Sequence, residues 1–285
     1  MSNQLIKADC LEALKTLPNE SVDALIFDPP YLYLKKHKLD RHFDEVKLFK
    51  ECFRVLKKDG FLIYFGRGIS FYRWGVLCST LGFNFKEELI WDKIRLSSPV
   101  APLMRTHEQM ALFCKGQATI NKVWINKIAS DKLISPHNIE ADLKRLVGKL
   151  RGFKTGSDFV SWRDGEKWFG KKAVKHGITV TGTKKSCGAR SCYDAHIKGK
   201  RLASVLRVHK EHYKFKHPTQ KPVELMRQLI QLVTQEGDMV CDPFMGSGST
   251  GKAAKELKRK FIGIEIDNEY FEIAKEGIEE HLKAE

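Results

Sequence analysis

Two short stretches of the 285-residue chain hold residue types that do chemistry once a fold brings them together. The first is Asp28-Pro29-Pro30-Tyr31, which closes the apolar run Val22 to Phe27. Two prolines end a central strand and stiffen the backbone. They hold an acid and an aromatic ring at the strand's carboxyl end, where open α/β sheets place their ligands. The quartet suits an exocyclic amino group on a planar base: Tyr31 stacks on the ring, while the Asp28 carboxylate and the Pro29 carbonyl accept two N–H bonds. A plain Pro-Pro turn after a strand is the bland alternative.

The second stretch is Asp242-Pro243-Phe244-Met245-Gly246-Ser247-Gly248-Ser249-Thr250-Gly251. Gly246, Gly248 and Gly251 match GxGxxG between a strand and a helix, and Glu265 closes the next strand. Read literally, this is a dinucleotide fingerprint, with glycines for close backbone approach and an acid for ribose hydroxyls. Only one further βα unit fits after the loop, so a complete nucleotide site is expected to recruit strands from the N-terminal segment, which disfavours an NAD enzyme. Cys187, Cys192 and His196, with His209 and His212 beyond, have a four-residue gap that departs from the usual two-cysteine zinc spacing. No metal site is expected.

The elements that must position these residues alternate in type. Leu5 to Ala8, Val22 to Phe27, Phe61 to Phe65, Glu88 to Trp91 and Met110 to Cys114 read as strands. Helical patterns fall at Leu11 to Leu17, through Phe49, Cys52, Phe53 and Leu56, and at Leu77 to Leu81. Such alternation predicts an α/β parallel sheet. Regular order returns after His217. Pro222 opens a helix whose face is Val223, Met226, Ile230 and Val233; Asp238 to Cys241 leads as a strand into the glycine loop and a helix to about Lys258. Phe261 to Ile266 is a strand, and Asn268 to Leu282 a last helix. Between the two regular parts, residues 148–199 hold nine glycines, little periodicity, and basic residues mixed with Trp162, Trp168, Phe169 and Tyr193.

Charge follows the same division. The chain carries 50 Lys+Arg against 35 Asp+Glu, a formal +15. Residues 1–119 sum to +4, residues 120–216 to +15 and residues 217–285 to −4. The middle segment holds the whole excess, as expected if it alone faces a polyanion. No apolar run is long enough to span a bilayer and no signal-peptide core is present, so neither a membrane nor secretion is expected. Seven cysteines, scattered and mostly in apolar stretches, suit reduced thiols, and the chain is read as cytoplasmic.

Together these motifs resemble the beta class of S-adenosylmethionine-dependent DNA amino-methyltransferases. The matches run in that family's order: Asp9-Cys10-Leu11; Asp28 to Tyr31; Trp91-Asp92-Lys93; Arg105-Thr106-His107-Glu108; His217-Pro218-Thr219-Gln220-Lys221-Pro222; Asp242 to Thr250; and Gly263-Ile264-Glu265-Ile266-Asp267. The resemblance implies an α/β, circularly permuted Rossmann-like methyltransferase sheet carrying a basic, loop-rich target-recognition insertion. Residues 1–119 and 217–285 would form the two parts of the catalytic domain, and 120–216 the target-recognition region.

The resemblance also implies roles. Asp28, Pro29, Pro30 and Tyr31 would hold the target base. For S-adenosyl-L-methionine, Asp242, Phe244, Gly246 and Gly248 would support the methionine part, Glu265 the ribose and Asp9 the adenine. Thr219, Gln220 and Lys221 would lie near the cofactor's carboxylate, where a helix N-terminus and an ammonium both favour an anion. The reaction would be direct displacement, with Asp28 as an ordinary carboxylate of pKa about 3.9. An amino group inside a duplex is inaccessible, so the base must be flipped out and phosphate contacts must offset the unstacking. Lys171, Lys172, Lys184, Lys185, Lys198, Lys200 and Arg201 are the candidates for those contacts on double-stranded DNA, with Trp162 and Trp168 as wedges. Asp at the head of the quartet favours adenine-N6 over cytosine-N4. An RNA amino-methyltransferase and a non-catalytic DNA-binding protein are the alternatives; a homodimer and a partner restriction endonuclease stay open.

Overall fold

The computed structural model describes residues 4–31, 41–94, 106–125, 200–209 and 220–280. The chain divides into two compact units, Met1–Val123 with Ala203–Glu285, and Trp124–Leu202. In the second unit, β6 (Trp124–Ile125) pairs antiparallel with β7 (Lys200–Arg201).

The first unit is built on eight strands: β1 (Gln4–Lys7), β2 (Val22–Phe27), β3 (Leu56–Gly66), β4 (Phe83–Asp92), β5 (His107–Lys115), β8 (Val205–Arg207), β9 (Met239–Asp242) and β10 (Lys260–Glu265). Their order in the sheet is β1-β10-β9-β2-β3-β5-β4-β8. The strands β9 and β10 therefore lie between β1 and β2, and the two ends of the sequence close one sheet. Helices α1 (Cys10–Thr16), α2 (Glu45–Val55), α3 (Gly68–Thr80), α4 (Val223–Val233), α5 (Ser249–Glu256) and α6 (Asn268–Glu280) join them.

The all-parallel sheet expected from the alternation of elements is corrected in one respect. Strands β1, β10, β9, β2 and β3 are parallel, but β5 runs antiparallel to both β3 and β4. The runs that form β4 and β5 have no apolar helical pattern between them, and antiparallel pairing needs no helical crossover. Two further differences concern boundaries. Leu56, read as helical, caps α2 and starts β3, whose pairing with β2 then skips from Val22↔Leu56 to Ala24↔Phe61. Val205–Arg207, read as part of the insertion, pairs parallel with β4, with Leu206 buried between exposed neighbours.

Burial explains the elements. In β2 every residue but Asp23 is buried, as fits a strand covered on both faces. Phe27, Phe49, Tyr64 and Trp74 form one aromatic core under its carboxyl end, with ring centroids 5.7–6.2 Å apart. Asp9 caps α1, accepting from the Leu11 and Glu12 amides at 2.9 and 3.4 Å. Arg54 ties α2 to the end of α1 by donating to the Leu14 and Leu17 carbonyls, both at 2.8 Å. Among the described residues no helix is long and apolar enough to cross a membrane.

Candidate active site

The topology locates the site. In the sheet β9 and β2 are parallel neighbours, paired Ala24↔Val240 and Leu25↔Cys241, although more than 200 residues separate them in sequence. Loops leaving the carboxyl ends of such a pair diverge and open a crevice. A cavity of about 260 Å³ lies there, lined by the ends of β1, β2, β9 and β10 and by residues preceding α4. Asp9, Asp28, Pro29, Pro30, Tyr31, Gln220, Lys221, Asp242, Phe244, Gly246 and Glu265 all face it.

Asp28 directly follows the last residue of β2. One carboxylate oxygen accepts from the Tyr31 hydroxyl and the other from the Lys221 ammonium. Lys221 is 9% exposed and also lies 3.0 Å from Glu108 Oε2, while Glu108 Oε1 pairs with Lys93 at 2.6 Å. Burial pushes the Asp28 carboxyl above the ordinary range, Lys221 pulling it back and Glu108 raising it further. The expectation of an ordinary carboxylate is thereby corrected; the sequence does not display the depth of the pocket. Burial also opposes charge on Glu108, but the ammoniums of Lys221 and Lys93 overcome it and hold the group at about 2. Burial would lower Lys221; Asp28 and Glu108 reverse that and keep it cationic.

Across the cavity the loop after β9 turns through two left-handed residues, Gly246 (φ 53°) and Gly248 (φ 79°), and the latter caps α5. A side chain at either would be strained. Gly246 N–H donates to Glu265 Oε2 at 2.9 Å and Asp267 N–H to Oε1 at 2.8 Å, which fixes the carboxylate with lone pairs to spare. Burial raises Glu265, and those amides offset part of the effect. Asp242 accepts from the Phe244 amide at 3.0 Å and from the Thr250 hydroxyl at 2.5 Å; burial pushes it to about 7. Phe244 rests on Phe27 and Phe43, with centroids 5.7 and 5.6 Å away.

The lining combines carboxylates at strand ends, backbone curved by glycine and an aromatic ring. That donor set fits a ligand with a hydroxyl pair, a flat ring and a cationic centre. The sequence did not single out Arg41, His42 and Phe43, which also line the cavity. Glu108 and Lys93 were visible only as motif matches without a role, and their opposite charges at the ends of two adjacent strands were the available signal. Thr219, Lys171, Lys172, Lys184, Lys185, Lys198, Trp162, Trp168, Cys187, Cys192, His196 and His212 lie outside the described residues, as does the side chain of Lys200. Within the second unit the Arg201 guanidinium lies 5.1 Å from the centroid of the Trp124 ring. The five described cysteines are buried thiols, and burial pushes Cys10, in the cavity wall, up to about 12.

Comparison with known proteins bears on this cavity. A family model described as DNA methylase matches residues 22–276. The type II methyltransferase M.HinfI of Haemophilus influenzae is 28% identical to the chain, over 98% of this chain and 68% of that protein. Among solved structures, the M1.HpyAVI-SAM complex matches with a TM-score of 0.55 and 23% identity, over 96% of this chain and 97% of that one. PvuII DNA methyltransferase, which is cytosine-N4-specific, matches with a TM-score of 0.58 and 16% identity, over 99% and 92%. These structures share the fold, and the expected methyltransferase sheet is borne out.

Proposed function

Because the chain belongs to the DNA methylase family, we propose that it transfers a methyl group from S-adenosyl-L-methionine to the N6 amino group of an adenine flipped out of double-stranded DNA. The observation that carries this reading is one cavity lined by Asp28, by Phe244 to Ser247 of the glycine loop and by Glu265, with Gly248 itself outside the lining.

When bound, the cofactor supplies an electrophilic methyl group on a sulfonium. In this chain Glu265 would hold the ribose hydroxyls, Phe244 and the glycine turn the methionine part, and Asp9 the end nearest the adenine. The carboxylates of Asp28, Asp242 and Glu265 give the cavity a surplus of acid, which suits a cation.

An adenine amino nitrogen is a poor nucleophile because its lone pair is delocalised into the ring. Asp28 and the Pro29 carbonyl accept its two N–H bonds, and these bonds strengthen as nitrogen becomes tetrahedral, which is where preorganised acceptors contribute most. The hydroxyl of Tyr31 leaves Asp28 to make room, and its ring stacks on the base. Asp28 need not be a strong base, since the alkylated nitrogen is highly acidic and sheds its proton after transfer. The basic middle segment contacts phosphates and offsets the few kcal/mol of unstacking.

Adenine is favoured because the quartet begins with Asp, whereas Ser there is the commoner pattern among cytosine-N4 enzymes. Expression in a methylation-free bacterium, followed by modification-sensitive long-read sequencing, tests the reading. N6-methyladenine at a defined sequence is expected. N4-methylcytosine overturns the choice of base, and unmodified DNA from a folded, cofactor-binding protein overturns the choice of DNA.

A further inference from the structure

Two motif matches have no task in this reaction, Trp91-Asp92-Lys93 and Thr106-His107-Glu108. The structure links the charged end of each to Asp28 through Lys221. Lys93, directly after β4, pairs with Glu108 Oε1 at 2.6 Å; Glu108 Oε2 lies 3.0 Å from the Lys221 ammonium; and that ammonium donates to Asp28. The four groups alternate in sign and sum to zero. The side chains of Lys93 and Lys221 are 13% and 10% exposed, and Lys221 Nζ is 4.8 Å from the centroid of the Phe65 ring, so water screens these contacts weakly. Lys221 also stands just ahead of the N-terminus of α4, whose dipole repels a cation. Carboxylates hold it there, not the helix.

We propose that Lys221 and Glu108 are positioning residues for the acceptor carboxylate: Glu108 keeps the Lys221 ammonium divided between two carboxylates, so that Asp28 is fixed in place and stays free to accept the target amino group. The inference rests on the reading of Asp28 given above, and it gives Lys221 a task other than holding the cofactor's carboxylate. Without Lys221, Asp28 would be a half-buried carboxylate facing Glu108 and Asp242, with its adjacent cation gone and the Tyr31 hydroxyl still able to donate to it. Without Glu108, Asp28 would receive the whole ion pair and accept more weakly from the base.

The pH dependence of single-turnover methyl transfer on a saturating duplex, between pH 5 and 9, tests this in the full-length protein. In Lys221→Met the acid limb moves up by about one pH unit or more, the size expected when an adjacent opposite charge is removed. Adding Glu108→Gln to that variant brings the limb part of the way back down, because the facing negative charge is gone. The maximal rate of Lys221→Met falls by roughly 10- to 100-fold as Asp28 loses its fixed orientation, while calorimetry without DNA gives a dissociation constant for S-adenosyl-L-methionine within about threefold of wild type. Should Lys221→Met fail to fold, Lys221→Gln keeps a donor to Asp28 and serves in its place.

An acid limb unmoved by removal of Lys221, or a double variant whose limb lies at or above that of Lys221→Met, overturns the proposal. So does a tenfold loss of cofactor affinity with the limb unmoved, which returns Lys221 to the cofactor's carboxylate. Asp28→Ala, run in parallel, separates the two levels. Transfer that survives it overturns the reading of Asp28 and the proposal with it; transfer abolished with the limb unmoved overturns the proposal alone.

Discussion

Replacing Asp242 by asparagine separates burial from hydrogen bonding in the wall of the cavity. Asp242 is 4% exposed and uses one oxygen for the Phe244 amide and the other for the Thr250 hydroxyl. Asparagine retains both hydrogen bonds, since its carbonyl accepts from the amide and its NH₂ donates to a hydroxyl that accepts as readily as it donates. Only the buried charge is removed. Burial raises the carboxyl to about 7 from 3.8, so the folded protein binds this proton more tightly than the unfolded chain does. The charge therefore costs nothing below about pH 4, costs progressively more as pH rises toward about 7, and has a constant cost above that. A gap of about three pH units corresponds to at most about 4 kcal/mol. Asp242→Asn is thus expected to be more stable than wild type by about 2–4 kcal/mol at pH 8, or about 5–15 °C in Tm for a domain of this size, with the advantage shrinking to near zero by about pH 4. Thermal unfolding of cofactor-free protein, followed by circular dichroism across that pH range, measures the difference. An asparagine variant less stable than wild type at pH 8, or an advantage that does not change with pH, would refute the reasoning.

Other perturbations test separate links. A Cβ on Gly251 would lie 2.5 Å from Ile278 Cδ1 and 2.7 Å from the Phe261 ring, so Gly251→Ala is expected to destabilise by about 1–3 kcal/mol in denaturant unfolding, and Ile278→Val to recover part of that stability. Arg54→Ala takes the guanidinium from the Leu17 carbonyl and from the Leu14 carbonyl, which keeps the Leu17 amide at 3.0 Å, and is expected to cost about 1–3 kcal/mol by the same assay, with cofactor affinity unchanged. Neutralising three of Lys171, Lys172, Lys184, Lys185, Lys198 and Lys200 should reduce the slope of log Kd for duplex DNA against log salt by about 0.9 for each phosphate that no longer faces a lysine. Fluorescence anisotropy reads that slope, and an unchanged slope removes those lysines from the interface.

The strands that form the site were legible because each is an apolar run with a sharp stop. Val22 to Phe27 ends at two prolines, and the strand that closes at Asp242 ends at a proline and a glycine turn, so both the strands and the side chains at their ends could be placed. Sheet direction was harder to see, because nothing in Phe83 to Asp92 or His107 to Lys115 distinguishes a parallel from an antiparallel partner. Leu56 shows the limit of periodicity: it keeps the helical spacing of Phe49 and Cys52 yet begins a strand, and it is fully buried. The state of Asp28 was hidden for another reason. Its partner Lys221 and the like charge of Glu108 lie 193 and 80 positions away, and only folding brings them together.

The most direct measurement uses purified protein, unmethylated duplex DNA and S-adenosyl-L-methionine carrying a deuterated methyl group, with nucleosides from the digested DNA resolved by mass spectrometry. Labelled N6-methyldeoxyadenosine is expected with wild type and none with Asp28→Ala, while the variant still binds the cofactor in calorimetry. Labelled N4-methyldeoxycytidine, label equal in the two proteins, or no labelled nucleoside from a folded wild type that binds both cofactor and DNA would contradict it.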